Sequence, residues 1–199
     1  MKKILLLGAI SLFCLNANAQ TNSNNLKTYM SGKVKYVMMD ADVTYRDFYG
    51  TTMDEDVAGA SIALGMSLNN RDTGLFRFEA EYNKNDVSTK QYSNSIDLEL
   101  DTQAVMFNTY YHLPTGSALT PYIGFGFGAA HVKGKASRIG EIKKTNFAWQ
   151  MGTGISYDLT ENFALDLGYR YMDYGDFEKY GVNIDTRTHE FYTGIRISF

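Results

Sequence analysis

Three histidines, His112, His131 and His189, are the side chains of this sequence best suited to proton transfer or metal binding near neutral pH. A hydrolytic site would need one of them within hydrogen-bond reach of a serine and a carboxylate. His189 and Glu190 are consecutive and so face opposite sides of an extended strand. His131 stands beside Val132 and Lys133 with no obvious serine partner, and His112 falls where a turn is expected, ahead of Leu113 and Pro114. Three scattered histidines make no metal constellation, and the one cysteine, Cys14, supplies neither an internal disulfide nor a thiolate metal site. The expectation is therefore no catalytic residue, no metal-binding residue, no cofactor-binding residue and no cofactor: not an enzyme.

A different set of polar residues recurs at every second position. Lys33, Lys35, Arg77, Glu79, Glu81, Asp97, Glu99, Asp101, Gln103, Asp166, Arg170, Glu190 and Arg196 alternate with apolar neighbours and are assigned to one face. If that face is enclosed, the charges must pair, because a buried isolated charge is costly. The expected pairings are Arg77 with Glu79 or Glu81, Asp166 with Arg170 or Arg196, and Glu190 with Arg196.

The elements that would position these residues are strands. LFRFEAEYN at 75–83 sets Phe76, Phe78, Ala80 and Tyr82 against Arg77, Glu79, Glu81 and Asn83, and similar alternation runs through 57–68, 121–130, 147–158, 163–172 and 189–199. Weaker copies occupy roughly 30–39 and 96–111, the latter with a phase that blurs through AVMFNTYY, as a bulge would cause. That makes eight strands. Connections at 69–74, 112–119 and 159–162 are short, whereas those at 40–56, 84–95, 133–144 and 173–186 are long and polar. Strict alternation of short and long connections suits an eight-stranded antiparallel transmembrane β-barrel, with both termini and the short turns in the periplasm and four long loops outside.

Composition agrees. With 44% apolar residues and 14% aromatic ones, disorder is excluded, and a formal charge of -3 carries no footprint for nucleic acid. Residues 1–19 have Lys2 and Lys3, an apolar run from Ile4 to Leu15 and small residues at Ala17 and Ala19, which predicts a secretory signal peptide, leaving 20–199 as the barrel domain. That apolar run is too short to span a bilayer, and no later segment approaches the ~20 apolar residues a membrane helix needs. A secreted β-sandwich also has alternating strands. Here, however, small and charged residues share one face while Phe and Tyr crowd the other, which suits a narrow barrel interior surrounded by lipid. Trp149, Tyr157, Tyr169, Tyr171 and Phe199 are assigned to interfacial girdles.

The stretches PYIGFGFGAA (121–130), FAWQMGTGISYDLTENFALDLGYRYMDYG (147–175) and HEFYTGIRISF (189–199) resemble the eight-stranded outer-membrane β-barrel superfamily that includes opacity proteins, surface antigens of alphaproteobacteria and the OmpA-like transmembrane domain. The resemblance implies residence in the bacterial outer membrane. It also implies that the C-terminal strand, ending in Phe199, is read by the barrel-insertion machinery, and it leaves no room for an appended peptidoglycan-binding domain.

The expected function is that of a surface protein with a structural role in the envelope and loop-mediated adhesion, monomeric or weakly associating. Its partners would be outer-membrane lipid and lipopolysaccharide, and a host or matrix protein through the loops. Candidate anchors are Tyr45, Phe48 and Tyr49 in the first loop, and Tyr174, Phe177 and Tyr180 in the fourth. A small diffusion channel and an enzyme acting on outer-leaflet lipid stand as alternatives, separated by whether the interior is filled and whether a triad assembles.

Overall fold

The computed structural model describes the backbone of residues 26–45, 48–70, 74–86, 98–136, 140–179 and 182–199, and the side chains of 26–40, 56–69, 74–85, 102–131, 144–175 and 185–199. Eight strands follow in chain order: β1 (Leu26–Tyr45), β2 (Phe48–Asn70), β3 (Gly74–Asp86), β4 (Leu98–His112), β5 (Leu119–Ala136), β6 (Gly140–Asp158), β7 (Phe163–Lys179) and β8 (Val182–Ser198). Each pairs antiparallel with the next, and β1 pairs with β8, so the sheet closes into a barrel. Within the ring where all eight strands pair, closure leaves no row of unpaired backbone groups, the condition for strands to cross a bilayer. The signal-peptide segment 1–19, Asp97 and Tyr180 lie outside the described residues.

Alternation places side chains as expected on seven strands. On β3, Arg77, Glu79, Glu81 and Asn83 are buried inside while Phe78 and Tyr82 are exposed outside. The outer surface is an apolar belt: Ile62, Phe147, Leu167 and Val34 are each more than 60% exposed, an arrangement that only a lipid solvent makes favourable. Aromatic residues flank the belt at both ends. Phe76 packs on Tyr111 (5.0 Å between centroids) near the short turns, and Trp149 on Tyr171 (5.5 Å) at the opposite end.

Two expectations are corrected. The register of β4 runs without a shift from Asp101 to His112 against β3 and from Leu98 to His112 against β5, so there is no bulge. Its inward residues are the even-numbered Thr102, Ala104, Met106, Asn108, Tyr110 and His112. Gln103 therefore lies on the outer side, and Glu99 and Asp101 share its parity. The mixed run AVMFNTYY blurred the phase because Met106 and Tyr110 are large side chains pointing inward.

The long connections are mostly sheet. β1 and β2 remain paired up to Tyr45 and Phe48, β5 and β6 up to Ala136 and Gly140, and β7 and β8 up to Lys179 and Val182. Three of the four long segments are thus paired hairpins continuing beyond the apolar belt. In the β7–β8 hairpin, Gly175 has a positive φ (75°) where the register shifts between Asp173 and Asp176, and its N–H donates to Asp173 Oδ1 (2.8 Å). A side chain at that φ would be strained, so glycine permits the bulge that bends this hairpin.

Candidate functional site

The interior is the place where this fold concentrates chemistry, and it is filled in layers. Nearest the short turns, Arg77 on β3 reaches across the lumen to Asp166 on β7 (2.9 Å). Arg196 on β8 also approaches Asp166 (3.5 Å) and donates to Ser156 Oγ (2.7 Å). The Arg77 guanidinium lies 4.6 Å from the Tyr110 ring centroid and within 6 Å of Tyr29 and Tyr122, a cation–π cage that replaces part of its hydration.

The middle layer is a continuous ion-pair network. Lys33 bonds Glu79 (2.7 Å) and Glu81 (3.2 Å), and Arg170 bonds Glu81 (3.0 Å), Glu190 (2.5 Å) and Asn83 (2.6 Å). Lys35 completes it with Glu190 (3.2 Å) and Asn83 (3.1 Å). Asn108 donates to Glu81 (2.7 Å), and Tyr29 to Glu79 (3.0 Å). The side chains of Lys33, Lys35, Glu79, Glu81, Arg170 and Glu190 are each less than 5% exposed, so removing any one leaves a buried, uncompensated charge.

Toward the long hairpins the interior turns apolar. Ala104, Met106, Ala130, Ala148, Met172 and Tyr174 form one buried cluster, with Tyr174 accepting a hydrogen bond from Asn85 Nδ2 (2.9 Å) and donating to Glu190 (3.3 Å). Hydrophobic packing above a paired network closes the lumen twice over, since an apolar constriction resists wetting even where side chains do not touch.

Small residues make this filling possible. Tyr29, Tyr110, Tyr122 and Tyr192 stand directly opposite Gly65, Gly124, Gly154 and Gly168 on adjacent strands. A Cβ built on any of these glycines would come within 2.5 Å of the facing tyrosine. Each ring takes the space that a side chain on the facing glycine would need, and an eight-stranded interior is too narrow for two large side chains at one paired position.

Most residues assigned to the interior are found there, but their partners differ. Arg77 pairs with Asp166, not with Glu79 or Glu81, because residues two apart on one strand extend side by side and the nearest free carboxylate lies across the lumen. Asp166 has Arg77 and Arg196 rather than Arg170, whose partners are Glu81 and Glu190; Glu190 in turn meets Arg170 and Lys35, not Arg196. The proposed Asp166–Arg196 proximity across β7 and β8 is observed. Tyr174 is not a loop anchor: it is 1% exposed and belongs to the apolar plug.

The histidines are in three separate places. His112 is not in a turn but ends β4, buried against Tyr122 (5.0 Å between ring centroids). His131 hydrogen-bonds the Thr145 hydroxyl across β5 and β6 (3.0 Å). His189, on the outer surface, hydrogen-bonds the Tyr169 hydroxyl through Nδ1 (2.6 Å), with Asp40 3.8 Å from Nε2. Among the described residues none of the three has a serine hydrogen-bonded to it.

Comparison with known proteins gives a consistent result. The family model for the outer membrane protein beta-barrel domain matches residues 5–199. The outer membrane protein PagN of Salmonella typhimurium is 30% identical over 115 residues, covering 47% of this chain and 48% of PagN. The chain spans between 34% and 48% of the length of the Brucella and Salmonella relatives it matches. Among solved structures, Neisserial surface protein A superposes with a TM-score of 0.61 at 20% identity, covering 86% of this chain and 97% of that one. Ail, the attachment invasion locus protein of Yersinia pestis, solved with the heparin analogue sucrose octasulfate, gives 0.51 at 18% identity, covering 86% and 99%.

Proposed function

This chain belongs to the outer membrane protein beta-barrel domain family and resides in the bacterial outer membrane, and we propose that it works there as a non-enzymatic, non-conducting surface protein. It contributes a closed barrel to the envelope and makes its contacts with lipid, lipopolysaccharide and external proteins through the outer wall and the long hairpins. Supporting this is one observation above the others: the lumen is occupied by a buried ion-pair network capped by an apolar cluster. A barrel with that interior has no route for solute, so its activity belongs to its exterior.

An attachment role is supported by the aromatic content of the first and fourth hairpins, and Ail, which shares the fold, is by its name an attachment protein. With Tyr174 inside the barrel, the remaining candidate anchors are Tyr45, Phe48, Tyr49, Phe177 and Tyr180. Aromatic side chains there would bury much area at modest entropic cost. Replacing all five with Ser should leave surface yield and heat-modifiable gel migration unchanged while reducing attachment of bacteria to host cells or matrix. Undiminished attachment at verified surface density would retire the adhesive role and leave the envelope role alone.

A further inference from the structure

A lumen filled by setting large residues against glycines can fall short of filling where two glycines face each other. At inward positions Gly124 pairs with Gly152, and Gly154 with Gly168. The second pair is covered: the Tyr122 hydroxyl would lie 2.4 Å from a Cβ on Gly154 and 2.8 Å from one on Gly168. At the first pair Tyr110 covers Gly124, its Cδ1 2.5 Å from an added Cβ, but the nearest side-chain atom over Gly152 is the Cβ of Arg170, at 2.8 Å. The guanidinium of Arg170 is drawn away to Glu81, Asn83 and Glu190. What is left is a small cavity whose lining includes Gly124, Gly152, Tyr110, Gln150, Arg170 and Tyr192, with room for about one water molecule.

The hydrogen bonds supply an independent observation. Glu81, bonded to Lys33 and Arg170, accepts from Asn108 Nδ2 (2.7 Å), which leaves Asn108 Oδ1 as the atom that meets Gln150. Gln150 must then present its Nε2 to Asn108, and it does. Its Oε1 is left buried with no hydrogen-bond partner among the described residues, on a residue only 4% exposed. The ion-pair network thus fixes, through Asn108, an unmet acceptor on a residue that lines the cavity. Such an acceptor is costly to bury without a donor.

We propose that this cavity is a buried hydration site, holding one water molecule that donates to Gln150 Oε1. The lining selects water over an ion. Gln150 Oε1 needs a donor, which a simple anion lacks. A cation is opposed by Arg170, which lines the cavity, and by Lys33, whose Nζ stands 5.6 and 5.7 Å from the Tyr110 and Tyr192 ring centroids. Water has a second proton to give, and the Tyr110 hydroxyl, which donates to Glu79 (3.3 Å), keeps a lone pair to accept it. Room for about one molecule is no path for solute, so the site belongs to a shut lumen and stands apart from any contact made by the outer wall. It also gives the amide at position 150 a purpose, since an apolar side chain there would leave the cavity dry.

The test is a nuclear Overhauser measurement on the protein in nanodiscs of deuterated lipid, read between the water resonance and the lumen-facing Hα of Gly124 and Gly152, which occupy the places of the missing side chains. Wild type should show a cross-peak from water to both, with the sign of a molecule held for nanoseconds or longer. Gln150→Met, or Gln150→Leu should the first not fold, should lose the cross-peak while keeping heat-modifiable gel migration. Tyrosine hydroxyls, which could relay magnetisation from bulk water, are unchanged in these variants, and Asn108 is not among the residues lining the cavity, so the loss reports a water held by Gln150. No cross-peak in wild type would overturn the proposal, with no variant required. So would a cross-peak of undiminished intensity in a folded Gln150 variant.

Discussion

Arg170 is the residue through which the middle of the lumen is held together, because one guanidinium serves Glu81 on β3, Asn83 on β3 and Glu190 on β8. Arg170→Ala should lower stability by about 3–5 kcal/mol, the cost of leaving buried carboxylates without a partner, whereas replacing Arg170 and Glu81 together by Met and Gln, which keeps Lys33 with Glu79 and Lys35 with Glu190, should cost much less. Urea unfolding in lipid vesicles, followed through the single tryptophan Trp149, measures both. A loss for Arg170→Ala within ~1 kcal/mol would mean that water reaches the network. At this scale the sequence showed which residues lie inside but not whom they meet. Alternation assigns a face, while the Arg77–Asp166 and Arg170–Glu81 contacts join β3 to β7 across the barrel, a proximity set by closure. His112 was misplaced for a related reason: Leu113 and Pro114 signal a turn, and the signal spread one residue too far into a buried strand end.

At the scale of elements, the strands are built by pairing large with absent side chains across each inward-facing register. Gly168 faces Tyr192, whose ring and hydroxyl would lie 2.5 Å from an added Cβ, with the Tyr122 hydroxyl at 2.8 Å. Gly168→Val should therefore destabilise the barrel by about 1–3 kcal/mol through overpacking, and combining it with Tyr192→Ala should recover part of that loss. The same vesicle assay checks it: equal stability of Gly168→Val and wild type would contradict tight filling of the lumen. Eight strands, and the faces of seven of them, were legible because period-two alternation is strong wherever lipid meets one side. The hairpin extensions were not legible: the sequence beyond the belt loses its alternation, and polar residues such as those at 173–186 look like a loop while the backbone stays paired. Tyr174 was lost with them, an inward tyrosine hidden in a polar context.

The whole molecule is a closed barrel whose inside and outside do different work. The inside is filled: carboxylates and cations meet from opposite walls, tyrosines stand opposite glycines, and a Met–Ala–Tyr cluster covers the network on the side of the long hairpins. The outside is an apolar belt for lipid, and three paired hairpins continue past it. Everything assigned to the exterior depends on the lumen being shut, and planar-bilayer recording of the purified protein tests that most directly. The filled interior predicts no steady conductance above the bare bilayer at either polarity, whatever the salt concentration. Reproducible wild-type current steps that grow with salt would show an open path through the barrel and contradict the account.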